Sequence, residues 1–121
     1  MPVVGIDHIQ LAMPAGEEAA ARYFFGDILG LRELPKPPEL AARGGVWFAC
    51  GTVQLHLGVA KDFTPARKAH PGFIVDQLAP IVASLSAAGH DVKSDTPTQG
   101  FTRVFTADPF GNRIELLEPV R

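Results

Sequence analysis

The sequence predicts an α+β fold made of two β-α-β-β-β modules in one chain. Three observations carry this: the same order of elements occurs twice with a period of about sixty residues, each helix pattern ends at a glycine, Gly30 and Gly89, and each opening strand pattern holds a histidine, His8 and His70. Module one covers 3–59, a linker 60–69 and module two 70–119, within a single domain of 1–121. Each half is too small to bury its own sheet. Side by side, or exchanged between two subunits, the halves would put their helices on the outer face. Their polar fronts would then line a cupped mixed sheet.

The elements follow from local patterning. Residues 5–13 alternate, with Ile6, His8, Gln10 and Ala12 on one face and Asp7, Ile9, Leu11 and Met13 on the other, which is the period of a strand. Pro14-Ala15-Gly16 breaks it. Glu17 and Glu18 suit the positive end of a helix dipole, and Ala20, Phe24 and Ile28 form an apolar stripe that stops at Gly30. A Pro-rich loop, Pro35 to Glu39, closes on Arg43-Gly44-Gly45 and leads to strands 46–50 and 53–59 joined at Gly51-Thr52. In the second of these Val53, Leu55 and Leu57 share one face, and Gln54 and His56 the other. Residues 60–69 are rich in charge and turn formers. A strand is expected over 70–75, and then a helix with Asp76 as N-cap carrying Leu78, Ile81, Val82, Leu85 and Ala88. Pro80 is tolerable in the first turn of that helix. His90, just after Gly89, is expected to face solvent. A short strand at 91–93 and a longer one at 101–106 precede Asp108-Pro109-Phe110-Gly111-Asn112, whose residue types are turn formers. The last strand points Ile114, Leu116 and Glu118 one way and Arg113, Glu115 and Leu117 the other.

Bulk properties exclude several classes. The formal charge of −2 and pI near 6.0 leave no basic footprint for nucleic acid. Cys50 has no second cysteine to pair with, which favours a reducing compartment. The start lacks the pattern of a signal peptide, and no run approaches the ~18 apolar residues of a membrane span. The expectation is a cytoplasmic protein whose partner is a small molecule.

The polar fronts collect His8, Gln54, His56, His70 and Glu115. Two imidazoles and a carboxylate on rigid strands suit a divalent ion such as Fe2+, Mn2+, Ni2+ or Zn2+. Arg103, sharing a face with Phe101 and Phe105, is placed to hold an anionic substrate group or, like Arg113, to pair with a surface carboxylate. Trp47, Phe48, Phe101 and Phe105 belong to the core or to a pocket wall, and Phe48, Phe101 and Phe105 are the candidate substrate-binding residues among them. Glu17, Glu18 and Cys50 read as structural.

These residues carry a resemblance. The Asp7-His8-Ile9 strand, the helix end from Phe24 to Leu31, His70, and the stretch Asp108-Pro109-Phe110-Gly111-Asn112-Arg113-Ile114-Glu115 resemble the vicinal oxygen chelate superfamily of glyoxalases, bleomycin-resistance proteins and extradiol dioxygenases. The resemblance implies a homodimer and a metal held by His8, His70 and Glu115, with Gln54 or His56 at a variable fourth position. Glu115, Gln54 and His56 become the candidate catalytic residues. It implies a lyase, an isomerase or epimerase, or a dioxygenase that chelates neighbouring oxygens and stabilises an enolate-like anion. Glyoxalase I members place Glu at the fourth position, whereas methylmalonyl-CoA epimerases use a His, Gln, His, Glu set. Dioxygenases add a His and a Tyr, and the only tyrosine here is Tyr23 on the first helix. The alternative is a metal-free protein of the bleomycin-resistance type that sequesters a small molecule.

Overall fold

The computed structural model describes residues 2–121, which form two compact units, one ending at Thr64 and one running from Pro65 to Arg121. In the first, β1 (His8–Met13) is followed by α1 (Glu18–Ala21), which continues as π-helix over Arg22–Ile28, then by β2 (Arg32–Leu34), α2 (Pro38–Ala41), β3 (Val46–Cys50) and β4 (Val53–Val59). In the second, β5 (Gly72–Ile74) leads to α3 (Leu78–Ala87), β6 (Lys93–Ser94), β7 (Phe101–Ala107) and β8 (Arg113–Pro119). Each unit holds its own four-stranded mixed sheet, of order β1-β4-β3-β2 in the first and β5-β8-β7-β6 in the second. The opening strand pairs parallel with the last in both. The fold is thus α+β with two β-α-β-β-β modules. The helical turn α2 lies in the stretch expected to be loop, and the short β2 just before it.

The β3–β4 hairpin sets the register of the first sheet. Gly51, at φ +58, takes the first place of a two-residue turn, where positive φ is required. Cys50 then lies opposite Val53, Ala49 opposite Gln54, Phe48 opposite Leu55 and Trp47 opposite His56. Phe48 and Leu55 point to the helix side. Phe48 is fully buried with Phe24 and Phe25, and its ring centroid lies 5.9 Å from that of Phe25. This corrects the expectation of Phe48 as a substrate wall: it belongs to the core, and the aromatic ring on the polar front is its neighbour Trp47.

The first helix differs from a plain α-helix because its second half widens. Leu29 N–H donates to the Phe24 carbonyl at 3.0 Å, a five-residue step, and the chain leaves through Gly30 at φ +78. α3 corrects another expectation. Asp76 does not cap it; the Leu78 N–H donates to Glu118 Oε1 at 2.7 Å, while Asp76 pairs with Arg121. The cap comes from the last strand, on the same face as the buried Ile114 and Leu116. His90 is half-buried rather than exposed, because its Nδ1 donates to the Ala107 carbonyl at 3.1 Å.

The β7–β8 turn is held by one buried carboxylate. Asp108 Oδ1 accepts from the Phe110 and Asn112 N–H groups at 2.9 and 2.8 Å, and Oδ2 from the Asn112 amide at 2.8 Å. Burial pushes the Asp108 carboxyl up despite these donors. Asp108→Ala removes three acceptor contacts while leaving their donors inside the turn, so a stability loss of about 2–3 kcal/mol is expected in urea unfolding. A loss under about 0.5 kcal/mol would mean that the turn holds without its side chain. Among the described residues no helix is long and apolar enough to cross a membrane.

Candidate functional site

In the second unit the inward carboxylate is at the centre of a network. Glu115 on β8 lies opposite Gly72 on β5 and Phe105 on β7. The absence of a side chain at Gly72 matters, because a Cβ there would lie 3.5 Å from Glu115 Oε1 and 3.1 Å from Leu117 Cδ1. His70 does not open β5 as expected; it stands two residues before it, where Pro71 supplies a carbonyl to the Glu115 N–H at 3.1 Å. His70 Nε2 is 3.0 Å from Glu115 Oε1, and Arg103 Nη1 donates to Glu115 Oε2 at 3.0 Å. Burial raises the Glu115 carboxyl, but the hydrogen bonds and charges of His70 and Arg103 outweigh it and the net shift is downward. Glu115 is therefore ionised at neutral pH.

That shift fixes a pH dependence. A depressed carboxyl stabilises the fold above its unfolded value, near 4.5, and the contribution is lost as pH falls through the lower folded value. Acid unfolding of Glu115→Gln compared with the wild type should show the stability gap narrowing below that value. A gap that stays constant down to acid pH would contradict it.

The orientation of His70 is specified on its other side. Its Nδ1 lies 3.0 Å from the Lys68 carbonyl, which can only accept, so Nδ1 carries a proton. Nε2 is thereby aimed at a carboxylate oxygen. Phe105 packs edge-on to His70 with centroids 5.3 Å apart, and Arg113 lies 4.2 Å over the same ring. Arg103 is engaged by Glu115, by the Thr96 carbonyl through Nε at 2.9 Å and by Asp95 at 3.6 Å. Its guanidinium thus holds Glu115 in place. Phe101 lies half-buried on the same face of β7.

In the first unit the polar front is a stack of rings. His56 is parallel to Trp47, with centroids 3.9 Å apart and planes 3° apart, and to His8, at 4.3 Å and 16°. Trp47 lies opposite His56 in the β3–β4 register, whereas His8 lies opposite Gln54. His56 Nε2 is 2.9 Å from Gln54 Oε1. An amide oxygen accepts, so Nε2 donates and Nδ1 keeps the lone pair. Burial, and then the nearby His8, lower the His56 pKa, so the ring is neutral at pH 7. Gln54 and His56, rivals for one position in the sequence, form one hydrogen-bonded pair. His8 Nδ1 lies 2.9 Å from the exposed Asp7 carboxylate, which leaves Nε2 of His8 presented. The partners Asp7, Trp47 and Arg113 were not singled out from sequence for these roles. The hairpin register alone pairs Trp47 with His56, and that signal was readable.

A family-wide sequence model described as the Glyoxalase/Bleomycin resistance protein/Dioxygenase superfamily matches residues 5–116. The chain belongs to this superfamily. Among solved structures, a glyoxalase family protein from Bacillus anthracis is similar to it at 44% identity over 98% of this chain and 97% of that one, with a TM-score of 0.89. Two further structures share the fold at lower identity. Lactoylglutathione lyase from Agrobacterium tumefaciens is 24% identical over 98% of this chain and 96% of that one, with a TM-score of 0.71. TnmS3, an antibiotic binding protein from Streptomyces sp. CB03234, is 20% identical over 99% of each, with a TM-score of 0.75. No curated protein matches the chain.

Superfamily members generally use divalent metals, so the donors were tested for fit. Among the described residues no three His, Cys, Asp or Glu side chains are gathered as a metal site. The pair formed by His70 and Glu115 nevertheless has the chemistry of two ligands. A histidine bound through Nε2 characteristically donates its other N–H to a carbonyl or carboxylate, as His70 does to Lys68 and His8 to Asp7. His70 Nε2 and Glu115 Oε1 are 3.0 Å apart.

Proposed function

We propose that the protein is a divalent-metal-dependent enzyme of the superfamily, acting on a small substrate with neighbouring oxygens. His70 and Glu115 would hold the ion within the second unit. The observation that carries this reading is the His70–Glu115 pair: with the His70 Nδ1 proton committed to Lys68, its Nε2 and an ionised carboxylate oxygen face each other and need a cation or a proton between them. A bound divalent ion would supply Lewis-acid polarisation of the substrate oxygens and stabilise an enolate-like anion. The chain's own groups would do the rest. Arg103 keeps Glu115 ionised and oriented, Gln54 fixes the tautomer of His56, and the neutral His56 is the candidate proton acceptor. Similarity to a lactoylglutathione lyase supports an enzymatic role.

One observation favours a second reading. Arg103 already supplies Glu115 with a positive partner at 3.0 Å, which a metal-free binding protein would require. Similarity in fold to an antibiotic binding protein accords with it. Calorimetric titration of chelator-stripped protein with Mn2+, Ni2+ and Zn2+ separates the two. The enzyme reading expects saturable binding that is lost in His70→Ala; absence of saturable binding to the wild type would leave the binding-protein reading.

A further inference from the structure

The front of the first sheet continues past the ring stack into a pocket of about 290 Å3. It lies beneath the segment that carries α2 and is lined by Gln10, Lys36, Leu40, Arg43, Trp47 and Gly58, among others. Its volume is at the lower end for small-molecule sites. We propose that this pocket binds a small organic anion, with an apolar body against Trp47 and Leu40 and a carboxylate or phosphate at Arg43 and Lys36. The proposal rests on the reading of the polar front as the small-molecule site and specifies the charge of what enters it.

The residues support this through their partners. Among the described residues no hydrogen bond or ion pair ties the Arg43 guanidinium or the Gln10 amide. Arg43 is therefore a fork of donors available for an oxyanion. Lys36 is anchored, its Nζ donating to the Gly44 carbonyl. Glu18 stands near, its Oε2 accepting from the Gly45 N–H at 2.8 Å, and its charge offsets one of the two cations. One positive charge remains at the mouth. Gly58 forms part of the floor, because a Cβ there would come within 2.4 Å of Gln10 Nε2. The bare backbone lets the Gln10 amide lie across the strand as a further donor. Arg103, the residue that sequence alone suggests for an anionic group, is engaged by Glu115. Arg43 thus offers an open guanidinium where Arg103 does not.

Trp47 is the only tryptophan of the chain and lines the pocket, so its emission reports on occupancy. Metal-free protein is titrated with benzoate, phenyl phosphate and the neutral benzyl alcohol, and wild type is compared with Arg43→Gln, Gly58→Ala and Glu115→Gln. A saturable emission change is expected with at least one of the two anions and not with the alcohol. Arg43→Gln should weaken it about tenfold, as loss of a charge-assisted contact does. Gly58→Ala, which displaces only the Gln10 amide, should weaken it less. Glu115→Gln should leave it unchanged, so a failure of the metal reading does not count as a failure of the pocket. Equal response to benzyl alcohol, no response to either anion, or an Arg43→Gln titration superposable on wild type would overturn the proposal.

Discussion

Phe48→Ala is expected to lower stability by about 3–5 kcal/mol, the range for removing a buried aromatic side chain. The ring is fully buried, and one edge faces Gly26, where a Cβ would lie 3.7 Å from Phe48 Cε1. The cavity left by alanine would open between the sheet and the widened part of the first helix. Against a total of about 5–15 kcal/mol for a domain, such a loss moves the first unit close to its unfolding threshold. Chemical denaturation measures it. Trp47→Ala provides the contrast, because that ring is only half-buried on the opposite face of the strand. It should cost less stability while exposing one side of His56. A Phe48→Ala protein as stable as wild type would mean that the strand presents its other face to the helices.

On the proposed metal reading, Glu115→Ala is expected to reduce divalent-metal affinity by about a hundredfold or more, since it would delete a ligand rather than a supporting contact. It also leaves Arg103 with Asp95, at 3.6 Å, in place of the nearer of its two carboxylate partners. Glu115→Gln separates these effects, because the amide keeps the shape and loses the charge. Metal affinity should fall in both variants, and stability should fall further in the alanine variant. Retention of metal affinity in both would place any bound ion elsewhere.

Much of the architecture was readable because alternation and turn residues are local. The two strands 46–50 and 53–59 and the outward or inward sense of Glu115 follow from a two-residue period, and the structure has them in those positions. What was not readable depended on partners distant in sequence. Asp76 is a good cap by residue type, yet Glu118 caps the helix from the last strand. The π-helical widening has no separate residue signature beside Phe24 and Phe25. Trp47 and Phe48 are both aromatic, and alternation alone does not say which of two faces the helices cover. The partners of the candidate site were hidden for the same reason. Arg103 looks like a free cation until β7 is paired with β8 and its guanidinium meets Glu115. His70 looks like the counterpart of His8, but the residue opposite Glu115 is Gly72, while the one opposite Gln54 is His8.

The most direct test of the metal reading is anomalous diffraction from crystals soaked in Mn2+ and, separately, Zn2+. The expected result is one peak bonded to both His70 Nε2 and Glu115 Oε1, with His70 Nδ1 still donating to the Lys68 carbonyl. Crystals that show the His70–Glu115 contact unchanged and no peak between the two side chains would contradict it.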